Sequence, residues 1–219
     1  MMTYKYLLIA IGFAIPLTSC GESDDSKDKG PNGPSARLLG TWQANCQPDS
    51  QVKVSEVITI TNQTTKWQIT AWDEGCNRKI YSTTAEAEVY ELGGTNDVYR
   101  LGLDQWGNRL VQQEGRSGIQ KIDFKFSRST RTYHDQAALN LAKNDKACNI
   151  GNWMIHQDRD VTNSACSLGK NLHSIYLLED SRLYLGYSVD PTTGQVDPAG
   201  GATEQNRHNV IASRAYSKL

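Results

Sequence analysis

Apolar and polar side chains largely alternate in two neighbouring runs, residues 52–61 and 65–73. A period of two is the spacing of a strand with one buried face, and it excludes a helix for both runs. Residues 52–61, Val-Lys-Val-Ser-Glu-Val-Ile-Thr-Ile-Thr, are rich in β-branched side chains, and residues 65–73 repeat the period with Trp67, Ile69 and Ala71 on one face. With Asn62-Gln63 between them, the two runs predict a hairpin. Further strands are expected at 79–87, 98–103, 119–127, 152–156, 174–178, 182–187 and 209–216, with turn signals at Gly93-Gly94, Gly107-Asn108, Glu179-Asp180-Ser181 and Gly200-Gly201. Residues 135–143 break the pattern with an acidic start and good helix formers, so one short helix is expected there. The expected fold is mainly β: an antiparallel barrel or sandwich with one short helix. A closed barrel removes the unpaired edges that a β domain must otherwise protect.

The N-terminus sets the compartment. Lys5 supplies positive charge, residues 7–17 are apolar, and the small Thr18 and Ser19 precede Cys20. The apolar run is shorter than the ~20 residues of a spanning helix, so residues 1–19 read as a removable secretory signal. Leu17-Thr18-Ser19-Cys20 resembles the lipobox of bacterial lipoproteins. That resemblance implies cleavage before Cys20, a diacylglycerol on its thiol and an acylated new amino group. One acyl chain binds membranes marginally, whereas two or more anchor stably. Gly21 stands where an Asp would resemble an inner-membrane retention signal. The implied location is the bacterial cell envelope, at the outer membrane if the host is Gram-negative. The competing reading is an ordinary signal with an incidental cysteine.

Residues 21–36 contain no large apolar side chain, so burial cannot offset the cost of ordering them. Residues 20–36 are therefore expected to form a lipidated cysteine on a disordered tether, with a root-mean-square reach of roughly 20–25 Å. A short acidic interaction motif is the alternative. Residues 37–219 carry no second Pro/Gly/Ser linker and read as one β-rich domain.

In an oxidising compartment the remaining cysteines, Cys46, Cys76, Cys148 and Cys166, read as a disulfide framework. Four cysteines allow three connectivities. Their grouping into two local pairs favours Cys46–Cys76 and Cys148–Cys166. A tetrathiolate metal site is the alternative, although no Cys-x-x-Cys spacing supports it.

The domain opens with Leu38-Leu39-Gly40-Thr41-Trp42, which is similar to the Gly-x-Trp entry of the lipocalin-like (calycin) barrels. The resemblance implies that Trp42 closes the barrel base under a basic side chain from near the chain end, a role for which Arg214 is the candidate. Arg214-Ala215-Tyr216 also resembles the Arg-x-Tyr with which fatty-acid-binding proteins hold a carboxylate. A barrel of this kind implies an interior lined by residues such as Val57, Thr59, Trp67 and Ile69. Trp42, Trp67, Arg214 and Tyr216 become the candidate ligand-binding residues. The chain departs from the family in lacking a middle Thr-Asp-Tyr motif, in its cysteine order, and in the helix that interrupts the strand series.

The formal charge is −1, and loss of Lys5 with the signal makes it −2. Such a balance gives no electrostatic case for nucleic acid. Mean hydropathy of −0.56 indicates an adequate core rather than a generous one. None of His134, His156, His173 and His208 lies in His-x-His or His-Glu-x-x-His spacing, and no Gly-x-Ser-x-Gly elbow occurs. Residues 190–197, Asp-Pro-Thr-Thr-Gly-Gln-Val-Asp, lack the alternating acidic ligands and closing Glu of a calcium loop and read as a long exposed turn. No cofactor or metal is expected. Five Trp and ten Tyr against three Phe are many, and in a strand Trp67 and Trp72 fall on opposite faces. One is expected in the core and the other at a rim. The functional expectation is a lipid-anchored, non-enzymatic envelope module that binds a small apolar ligand or an envelope protein. The alternative is an envelope enzyme or enzyme inhibitor, for which His156 with Asp158 or Asp160 is the available pairing.

Overall fold

The computed structural model describes residues 33–49, 52–62, 64–96, 98–103, 109–189, 195–197 and 200–219. The expected signal, Cys20, most of the tether, the Gly107-Asn108 turn and residues 190–194 lie outside these. The strands are β1 (Gly40–Asp49), β2 (Val52–Ile60), β3 (Thr65–Trp72), β4 (Lys79–Gly94), β5 (Tyr99–Leu103), β6 (Arg109–Gln113), β7 (Gln120–Tyr133), β8 (Arg159–Asp160), β9 (Asn171–Glu179), β10 (Arg182–Tyr187) and β11 (Val210–Lys218); the helix α1 spans Gln136–Asn144. Strands β1-β2-β3-β4-β7-β9-β10-β11 follow one another antiparallel around a closed eight-stranded barrel. The barrel seam is short: β1 and β11 pair at Trp42 with Lys218 and at Gln43 with Ser217. Where β11 begins, its free edge instead takes β5 in parallel, Tyr99 opposite Val210, and β5 continues into the hairpin with β6.

The expected runs at 79–87 and 119–127 are parts of much longer strands, and β1, β6 and the two-residue β8 are additional to the expected ones. Residues 152–156 do not form a strand. There Ile155 makes a single bridge to Tyr133, and Trp153 leaves the backbone path to fill a small core. The helix begins where its cap predicts. Asp135 has extended backbone angles, and its carboxylate accepts from the Ala138 amide at 2.9 Å.

On β2 the inward positions are Val54, Glu56, Ile58 and Ile60, all buried. This corrects the expected lining. Val57 and Thr59 face outward, whereas Trp67 and Ile69 sit opposite Ile58 and Glu56 and so face inward. Glu56, an acid, occupies a core position, which shifts the apparent phase of the strand by one residue. With Trp42, Ala44, Ala85, Ala87, Val89, Ile122, Phe124, Phe126, Tyr176, Leu183, Leu185 and Tyr216 these side chains make one continuous barrel core.

At the base, where β1 starts and β11 ends, the Trp42 indole N–H donates to the Leu38 carbonyl at 2.8 Å. The cation above its ring is Lys218, with Nζ 5.3 Å from the centroid, not the expected Arg214. A four-residue step along β11 returns a side chain to the same face, so the closing cation is two inward–outward repeats further on than the short motif suggested. Gly40 lies at φ +127°, and a Cβ there would stand 2.7 Å from Lys218 Cε, so the glycine admits the lysine. Also at the base, Glu91 accepts from the Ser35 amide at 2.8 Å and from the Tyr176 hydroxyl at 2.6 Å. Burial, with the Glu91 charge beside it, raises the Tyr176 pKa, so the hydroxyl keeps its proton. The last residues of the expected tether are thus pinned to the barrel.

Candidate functional site

While one long connection, carrying β5 and β6, leaves from the base end, where Gly94 pairs with Gln120, two others lie at the end opposite the base. One, residues 134–170 between β7 and β9, carries α1 and β8. The other, residues 188–209, joins β10 to β11. Both lean on side chains of the barrel's inward face. In the first, Leu139, Ala142, Cys148, Trp153 and Val161 pack with Tyr133, and Tyr81 sits beside them. In the second, the His208 Nδ1 lies 2.9 Å from the Ser174 hydroxyl, and Ser174 is 1% exposed.

Two disulfides brace this end. Cys46–Cys76 ties β1 to the β3–β4 connection, and Cys148–Cys166 closes the turn between α1 and β9. The two local pairs are those favoured from spacing, and with both formed no tetrathiolate set remains.

Between base and mouth lies a polar layer inside the barrel. Glu56 on β2 is its centre. One carboxylate oxygen pairs with Arg214 of β11. The other accepts from the Tyr216 hydroxyl at 2.7 Å and the Trp67 indole N–H at 2.9 Å. Burial and the adjacent carboxylate raise the Tyr216 pKa well above its ordinary value, so the phenol remains a donor. The layer lies where β1 and β11 cease to pair, and the side chains bridge the seam that the backbone leaves open. Of the four candidate ligand-binding residues, Trp67, Arg214 and Tyr216 converge here. Trp42 does not; it sits in the base. Glu56 was not foreseen, although an acid in phase with Val54, Ile58 and Ile60 was the available signal.

The layer is not sealed. The side chains of Glu56 and Arg214 keep 11% and 17% of their surface. Trp67, Ile69 and Leu172, all inward, are only partly buried. Trp67 rests on Phe124 at 5.6 Å between centroids, and Phe124 on Phe126 at 6.3 Å. Trp72 points outward, as its odd spacing from Trp67 requires. Its indole N–H donates to Ser55 at 2.8 Å under the Lys79 ammonium.

The histidines form separate groups. His134 Nε2 is 2.9 Å from the Ser82 hydroxyl, and its ring is 5.8 Å from that of His156. Burial lowers the His134 pKa. Asp158 accepts from the Thr132 hydroxyl and Asp160 from the Thr162 amide, and among the described residues no hydrogen bond joins either carboxylate to His156. Ser82 is 7% exposed, too covered for a nucleophile in this conformation. His173 and Arg207 share Asp123 on the barrel's outer side.

No family model matches the chain, and comparison with curated proteins finds no match either.

Proposed function

We propose that this chain is a lipid-tethered, non-enzymatic binding protein of the bacterial envelope, whose barrel takes a small, largely apolar ligand from the end opposite its tether. The observation that carries this reading is the incompletely buried set Trp67, Ile69 and Leu172, facing inward beside the Glu56–Arg214 pair. An aromatic wall with a few fixed polar groups at depth is the usual make-up of a small-molecule site. The lipocalin-like resemblance of Gly40-Thr41-Trp42 agrees with it. The carboxylate position that Arg214 and Tyr216 would offer is filled by the chain's own Glu56, so the ligand best suited is uncharged, with a hydrogen-bonding group rather than an acid. The described chain enters at the base, so a lipid on Cys20 would hold the barrel from that end and leave the opposite end uncovered by the tether.

Two measurements test this. Full-length protein purified in detergent is denatured, and the released small molecules are identified by mass spectrometry, wild type beside Trp67→Ala. A compound carried by wild type and reduced in the variant is the expected result; no compound, with equal probe binding by both proteins, would overturn the ligand reading. Palmitate labelling of wild type and Cys20→Ala tests the anchor: label and membrane association should be lost together.

A further inference from the structure

The two disulfides differ in their surroundings. Arg131, on the inward face of β7, is fixed by its Nε donating to Thr83 Oγ1 at 3.0 Å and by its guanidinium lying 4.6 Å over the Tyr81 ring. Its Nη1 then reaches both sulfurs of Cys148–Cys166, at 3.1 Å from Cys166 and 3.7 Å from Cys148. Among the described residues neither Cys46 nor Cys76 has such a donor at its sulfur. A neutral disulfide gains little from a cation, whereas the thiolates formed on reduction gain a great deal, because a nearby guanidinium lowers a thiol's pKa. Arg131 therefore favours the reduced state of this pair, and a leaving thiolate of lower pKa departs faster.

We propose that Cys148–Cys166 is a thiol–disulfide exchange site whose substrate is an external dithiol, with Arg131 stabilising the thiolates. Cys166 is partly exposed and Cys148 is 7% exposed, so Cys166 is the sulfur attacked. A thiolate of the dithiol bonds to Cys166 Sγ as the Cys148–Cys166 bond breaks, and the electron pair leaves on Cys148 Sγ beside Arg131. The second thiol of the dithiol, its proton lost to solvent, then attacks the mixed disulfide and releases Cys166 as thiolate. The dithiol is oxidised by two electrons and the protein's cystine is reduced by two. This site is independent of the barrel interior.

The test is a redox titration of the full-length protein in graded ratios of reduced to oxidised dithiothreitol, each disulfide read separately by alkylation and mass spectrometry. Cys148–Cys166 should open at a roughly tenfold lower ratio than Cys46–Cys76. Arg131→Gln should make it harder to reduce by roughly tenfold, and Arg131→Lys should keep most of the wild-type behaviour. A merely structural arginine predicts the opposite sign, since a loosened fold exposes the bond and eases its reduction. Opening of both wild-type disulfides together, or easier reduction in Arg131→Gln, would overturn the proposal.

Discussion

Arg214 of β11 and Glu56 of β2 meet inside the barrel at the point where the β1–β11 seam stops pairing through its backbone. The carboxylate also holds Tyr216 and Trp67, so one acid ties the last strand to the second and third. Removing water from both charges is costly, and only the full set of hydrogen bonds makes the arrangement tolerable. The pair is thus a closing device for the sheet as well as the polar layer of the barrel interior.

Breaking that pair on one side leaves a charge uncompensated. Glu56→Leu should lower unfolding free energy by about 3 kcal/mol, and Arg214→Leu by a similar amount. The double variant should recover part of the loss, because two apolar groups leave no orphan charge. Urea denaturation of the four proteins measures the cycle; additive losses would show that the two residues do not interact.

This layer also marks where the sequence stopped being readable. The period of two, the helix at 135–143 and both cysteine pairs could be taken directly from residue order, because each depends on local spacing. The phase of β2 could not. Glu56 breaks the alternation at one inward position, and only its partners from β11, 158 and 160 positions away, explain why an acid is allowed there. The same distance problem hid Lys218. A three-residue motif pointed to Arg214 as the cation over Trp42, while the choice between two basic residues of one strand face depends on where the barrel closes. Asn152-Trp153 looked like strand because Trp favours strands, but packing on Tyr133 at 4.9 Å decided otherwise.

At the base, packing outweighs the cation. Trp42 is 2% exposed, and Trp42→Ala should cost about 4 kcal/mol through the cavity it leaves. Lys218→Met removes the ammonium above the ring but keeps an aliphatic stem beside Gly40, and should cost about 0.5 kcal/mol. Thermal unfolding of both variants checks the ratio; comparable losses would mean that the lysine, not the indole, closes the base.

Asp135 makes two contacts of unequal worth. Its carboxylate caps α1 through the Ala138 amide and also meets Arg78, whose side chain is 63% exposed. Asp135→Ala should cost about 1 kcal/mol. Arg78→Ala should cost at most about 0.5 kcal/mol, since an exposed ion pair is screened by solvent. Chemical denaturation of the two single variants separates cap from charge.

His208 should make the mouth sensitive to acid. Burial lowers its pKa to about 4, against the backbone of Gly186 and Gly200, which pulls the other way, and the Arg207 guanidinium lowers it further. Its Nδ1 meets Ser174, and beyond Arg207 lie Asp123 and His173. Above pH 6.5 the ring is neutral whether the chain is folded or not, and its titration contributes nothing. As pH falls below 6.5 the unfolded chain binds the proton first, so stability declines until about pH 4, where the folded ring protonates too and the loss levels off. The gap between the two values corresponds to about 3 kcal/mol. His134, lowered by burial as well, adds a loss of the same sign. His208→Gln keeps a polar side chain at Ser174 but has no proton to gain, so its stability between pH 6.5 and 4 should fall less than that of wild type. Hydrogen exchange across residues 200–209 locates the effect: protection should weaken with acid in wild type and hold in the variant, and parallel pH profiles for the two proteins would remove His208 from the account.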